Sequence, residues 1–155
     1  MNTFRRNILK GASGASAVAV AVAAGLLKPT EVMAAWNKSA FEAKTMDEAM
    51  KGIGITSPAD SKSITIKAPD IAENGAVVPV EVTSNIPGTT NISIFAEKNG
   101  TPLVGSYTFS NGSLGFVSTR IKMGTTSLVR AVVMAGGKSY TAAKEVKVTI
   151  GGCGG

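Results

Sequence analysis

The chain carries a single cysteine, Cys153, in the closing run VKVTIGGCGG. A structural cysteine is ordinarily deep in a core or paired in a disulfide. Cys153 has no partner within the chain, and glycines flank it on both sides: Gly151 and Gly152 before it, Gly154 and Gly155 after it. Glycine lacks a Cβ, so the chain leaving Ile150 can take almost any direction. Three residues beyond Ile150 give the thiol a reach of about 10 Å when extended. The two glycines beyond it add no bulk, so the thiol can pass into a narrow channel of another protein at little steric cost. Its own reactivity is low. An unperturbed thiol has a pKa of about 8.5, so only a few per cent is thiolate at neutral pH. The terminal carboxylate nearby discourages ionisation further, and Lys144 and Lys147 sit back on the preceding strand. Cys153 therefore reads as a carried attachment point, activated in whatever site it visits.

Other chemistry is scarce. The chain has no histidine, which excludes a histidine-based triad, a histidine general base and histidine metal ligation. One cysteine cannot build a zinc or iron–sulfur site within the chain. VVMAGGKSY ends like a phosphate-binding loop, but Val132 stands where that motif needs its first glycine, and the Gly-Lys-Ser falls in a hairpin turn. Glu73, in AENG, reads as part of a solvated turn. The expectation is no cofactor, no metal and no self-sufficient active site. Nor does the net charge of +6 point to nucleic acid. Half of it falls in the first 34 residues, the rest is scattered, and only 5% of residues are aromatic. A prenylation box needs its cysteine fourth from the end, not third. A ubiquitin-like carrier working through a Gly-Gly carboxylate requires ATP-dependent adenylation and a compact α/β fold. A structural β-sandwich module, cross-linked by an intermolecular disulfide at Cys153, remains as the alternative.

Three segments frame this thiol. Residues 1–34 read as an export signal: TFRRNILKG supplies paired arginines, GASGASAVAVAVAAGLL is apolar and rich in small residues, and VMAAW offers a cleavage site after Ala34 or Ala35. The apolar stretch from Gly11 to Leu27 is shorter than the ~20 residues of a spanning helix. Weak hydrophobicity with paired arginines points to the twin-arginine route and a periplasmic address. Residues 35–150 read as a helix plus a β-sandwich. In AWNKSAFEAKTMDEAMKGIG, Ala43, Met46, Met50 and Ile53 form one apolar stripe. Thr45 and Glu48 fit a capping box, and Gly52 or Gly54 can stop the helix. It is expected to dock on the β domain.

From Ser61 the period becomes two. KSITIKA, GAVVPVEV, NISIFAE, GFVSTRIKM, LVRAVVMA, KSYTA and KEVKVTI read as strands, with LVGSYTF a weaker candidate. Asn74-Gly75, Pro87-Gly88, Asn99-Gly100, Asn111-Gly112 and Gly136-Gly137 supply the turns. Seven or so short strands at this spacing predict an all-β sandwich of two sheets. Pro79 marks its strand as an edge, or as bulged, and as a candidate partner surface. Residues 151–155 form the arm.

The run from Val146 to Gly155 resembles the carboxyl terminus of the SoxY family, the carrier subunits of the bacterial thiosulfate-oxidising system. APDIAENGAVVPVEV, Ala68 to Val82, RIKM, Arg120 to Met123, and the twin-arginine leader resemble it too. The resemblance spans the mature domain. It implies an immunoglobulin-like sandwich, a SoxZ-like partner in a heterodimer, and sulfur intermediates held covalently on Cys153. It further implies a c-type cytochrome enzyme of the SoxAX type that loads thiosulfate and a SoxB-like hydrolase that releases sulfate, after which the remaining sulfane sulfur goes either to a SoxCD-like sulfane dehydrogenase or into storage.

Overall fold

The protein is described here by a computed structural model covering residues 37–110 and 112–150. The expected export signal and the GGCGG arm lie outside the described residues. Nine strands and two short helices make up the rest: α1 Lys38–Glu42, α2 Met46–Gly52, β1 Ala59–Asp60, β2 Ile64–Lys67, β3 Ile71–Ala72, β4 Val78–Ser84, β5 Thr89–Ala96, β6 Leu103–Thr108, β7 Phe116–Ile121, β8 Ser127–Ala135 and β9 Lys138–Val148. One sheet runs β1-β9-β8-β5-β6, with β3 also on β9; the second runs β2-β4-β7. The architecture is the expected immunoglobulin-like sandwich.

Alternation builds the core. On β4 the buried positions are Val78, Val80, Val82 and Ser84, and the residues between them are half-buried or exposed. Those valines meet Ile92, Ile94 and Ala96 of β5 and Val129, Ala131 and Val133 of β8 across the sandwich. The same two strands bury their other face as well. Phe95 and Val132 join Leu103 in a second cluster with Ala40, Ala43, Ala49 and Ile55. The helical segment thus docks on the β domain as its stripe required, which is why NISIFA reads as nearly continuous apolar sequence.

The single helix expected there is instead two. Asn37 caps α1, accepting from the Ala40 amide at 3.2 Å. Ala43 then turns extended, with ψ of 140°. Thr45 caps α2, accepting from the Glu48 amide at 3.3 Å. A residue acting as an N-cap has non-helical dihedrals, so a helix capped at Thr45 cannot also contain Ala43. The stripe stays buried or half-buried all the same. The helices cross so closely that a Cβ on Gly52 would stand 2.8 Å from Cα of Ala40, and the Asn37 side-chain amide donates to the Gly52 carbonyl. Gly54, just beyond α2, takes the positive φ of a helix stop.

Two further expectations are corrected. KSYTA and KEVKVTI are one eleven-residue strand. Its alanines lower strand propensity locally, but Ala142 and Ala143 pair with Ala131 and Arg130 in an unbroken register. The hairpin joining it to β8 turns on Gly136 and Gly137, both at positive φ, as a two-residue turn of type I′ demands. Of Gly-Lys-Ser, only Gly137 lies in this turn, while Lys138 and Ser139 open β9. Pro79 does not mark an edge strand: β4 lies between β2 and β7, and its register with β7 carries no bulge. The proline is tolerated because β2 is short. Pairing with β2 reaches only from Glu81 to Ser84, so Pro79 has no β2 neighbour whose ladder needs an N–H. The strand therefore offers a partner no full free edge.

Candidate functional site

Cys153 and its flanking Gly151, Gly152, Gly154 and Gly155 lie outside the described residues. What the structure describes is the root from which they continue, Thr149 and Ile150. Strand β9 outruns its hairpin partner, since pairing with β8 begins at Ser127 opposite Val146. Residues 147–150 would leave the sheet there without a further neighbour. The segment from Asp70 to Gly75 supplies one. β3 pairs parallel to β9, Ile71 with Lys147 and Ala72 with Val148. The Lys147 amide donates to the Asp70 carbonyl at 3.0 Å, the Thr149 amide to Ala72 at 3.1 Å, and the Gly75 amide to the Ile150 carbonyl at 2.9 Å. The Thr149 hydroxyl reaches the Glu73 carbonyl at 3.2 Å. On the opposite side the Thr126 hydroxyl accepts from the Val148 amide at 2.9 Å.

Lys144 is engaged away from the strand's end. Lys144 donates to the Ala68 carbonyl at 2.6 Å and pairs with Asp70 at 3.0 Å. With Asp70 this exposed, the pair contributes little to stability. Glu73 is exposed, as a solvated turn requires. Ile150 itself is 65% exposed, so the chain passes to Gly151 from the surface. Among the described residues no three His, Cys, Asp or Glu side chains gather into a metal site. A cleft of about 400 Å³ lies at the far end of β4, lined by Ser84, Thr89, Phe109 and Leu114 among others. Among the described residues no titratable side chain lines it. The sequence singles out the thiol but gives no sign of the segment that pairs with the end of β9. The pairing is parallel, only two residues long and bridges a gap of some seventy-six residues, so no local period announces it.

Fold and root together define an immunoglobulin-like β module whose last strand is tied down on both sides up to the point where a glycine-flanked thiol follows. The family model of the sulfur oxidation protein SoxY matches residues 50–153, and the chain belongs to that family. The structure of the sulfur carrier protein SoxY from Chlorobium limicola f thiosulfatophilum is 46% identical, covering 74% of this chain and 100% of that one at a TM-score of 0.63. Two weaker structural similarities carry no argument. One is to a chain from work on T cell specificity and activation by the bacterial superantigen toxic shock syndrome toxin-1, at 11% identity over 55% of this chain and 98% of that one, with a TM-score of 0.40. The other is to an engineered protein, at 14% identity over 62% of this chain and 21% of that one, with a TM-score of 0.39. No curated protein sequence matches the chain.

Proposed function

We propose that this protein is a periplasmic carrier that holds the sulfur intermediates of thiosulfate oxidation covalently on Cys153 and presents them to separate enzymes. The observation carrying this reading is that the SoxY family match extends through residue 153, so it includes the only thiol in the chain. The related carrier of known structure supports it. In the loading step the Cys153 sulfur bonds to the sulfane sulfur of thiosulfate. That releases one proton and two electrons, the electrons passing to a c-type cytochrome enzyme of the SoxAX type. Water then attacks the terminal sulfonate in a SoxB-like hydrolase, releasing sulfate and leaving a persulfide on the cysteine. That sulfane sulfur is then either oxidised with three waters to a sulfonate by a SoxCD-like dehydrogenase, which takes up the six electrons, before a second hydrolysis, or passed into storage. The carrier contributes no acid, base or metal to these steps. It supplies the attachment point, and a SoxZ-like subunit completes the heterodimer. The twin-arginine leader brings the folded protein to the periplasm.

Residues 151–155 act as a swinging arm in this account, and Gly152→Val tests that directly. A branched side chain next to the thiol narrows the dihedral choices of the arm and widens its profile. The rate of loading and of sulfate release should fall by about tenfold or more through lost positioning. The unfolding midpoint should stay within experimental error, since residue 152 lies beyond the last strand. Unchanged rates with every partner enzyme would remove the arm from the mechanism and favour a structural module cross-linked through Cys153.

A further inference from the structure

The two internal stretches that resemble the family are Ala68 to Val82 and Arg120 to Met123. They meet at the root of β9. Gly75 is the junction: its amide donates to the Ile150 carbonyl at 2.9 Å, and its own carbonyl accepts from the Met123 amide at 2.7 Å. Met123 is fully buried in the sandwich core. Asn74 shapes the turn that aims Gly75 both ways, since its side-chain oxygen accepts from the Ala76 amide at 2.9 Å, an Asx turn of the ordinary kind. The Asn99 side chain braces the RIKM end from outside, donating to the Lys122 carbonyl at 2.7 Å and accepting from the Gly124 amide at 3.1 Å. A continuous hydrogen-bonded path therefore runs from a core methionine through Gly75 to the last described residue of the chain.

We infer that Asn74, Gly75 and Thr149 form a clasp that fixes the origin of the sulfur-bearing segment, and that they are positioning residues for delivery of Cys153. This rests on the carrier reading above. Physically, a tethered group is delivered at an effective concentration set by tether length and by how well its origin is fixed. Without the clasp, the last hold on the strand would be the Thr126 hydroxyl accepting from the Val148 amide, so the tether would begin at Val148 and gain two residues, about 7 Å of extended chain. The clasp returns the origin to Ile150. A shorter tether confines the thiol to a smaller volume around the docking surface, so more encounters with an enzyme's channel are productive.

Thr149→Pro tests the clasp, because it deletes both the amide donated to Ala72 and the hydroxyl donated to Glu73. Val148 before it is already extended, as a residue preceding proline must be. Amide exchange at Gly75 and Lys147 should quicken at least about fivefold, the factor that one lost hydrogen bond corresponds to. With thiosulfate, the cytochrome enzyme and an electron acceptor, KM for the carrier should rise about fivefold at unchanged kcat. Alkylation of Cys153 by iodoacetamide should keep its rate, since the thiol itself is untouched. Thr149→Ser retains both donors and should restore KM. Asn74→Ala, which removes only the Asx acceptor, should move exchange and KM in the same direction by a smaller factor. Faster exchange with unchanged KM would reduce the clasp to a structural feature, and unchanged exchange would show that these bonds do not hold the root; either overturns the inference alone. Failure of the wild-type protein to take up any sulfur group would overturn the carrier reading and the inference with it.

Discussion

Cys153→Ser is expected to abolish thiosulfate-dependent turnover in a system reconstituted with the partner enzymes, while leaving the folded domain and binding of the SoxZ-like subunit intact. The two halves have separate causes. Serine is nearly the same size but forms no stable bond to a sulfane sulfur, so no intermediate can be loaded. The chain has no second cysteine to take over, and the loss should reach the detection limit instead of stopping at a partial rate. The fold is indifferent because residue 153 lies beyond β9, whose described end is held by main-chain bonds to Ala72 and Gly75. The unfolding midpoint and the affinity for the partner subunit should therefore match wild type. Persistent turnover would contradict covalent carriage, and a loss of partner binding would show that the thiol has a structural part.

The second large effect is on stability. Phe95→Ala should cost about 3–5 kcal/mol, the range found for truncating a fully buried phenylalanine. Phe95 is completely buried on β5, on the face turned to the helices, in one cluster with Ala40, Ala49, Ile55, Leu103 and Val132. Against a total of about 5–15 kcal/mol for a small domain, such a loss moves a urea midpoint far down. The denaturant slope should fall too if the helix pair detaches from the truncated sheet, because less surface is then exposed on unfolding. Phe116→Ala is the control: this phenylalanine is 47% exposed, and its loss should stay within about 1 kcal/mol. A Phe95→Ala protein as stable as the Phe116→Ala one would mean that the helices do not dock on β5.

Where the sequence could be read and where it could not follows from how local each signal is. β4 announces itself through alternation, β5 and β8 through short apolar runs buried on both faces, and the hairpin at Gly136-Gly137 through its turn chemistry, because each signal sits within a few residues. The weak candidate LVGSYTF became β6, Leu103–Thr108, all but its final Phe109. The helix was misjudged at a single point. Its apolar stripe runs through Ala43 while its cap stands at Thr45, and the cap decides where a helix begins. Pro79 was misassigned because an edge is a property of neighbours: a proline is compatible with an interior strand when the adjoining strand stops at Lys67↔Glu81. β1 and β3 were invisible, being two residues each and paired to β9 across long stretches of chain. The thiol was legible at once from its uniqueness and its glycines. The clasp beneath it was not, although its residues were already conspicuous as APDIAENG, because only the folded chain brings Gly75 to Ile150.

The central claim is that sulfur groups travel on Cys153. An intact mass of the mature protein, purified without reductant from cells oxidising thiosulfate, tests it most directly. The account predicts added mass corresponding to one or more sulfur-containing groups, located in the last peptide and removed by dithiothreitol. A doubled mass that reduction halves, with no adduct even after incubation with thiosulfate and the partner enzymes, would contradict it.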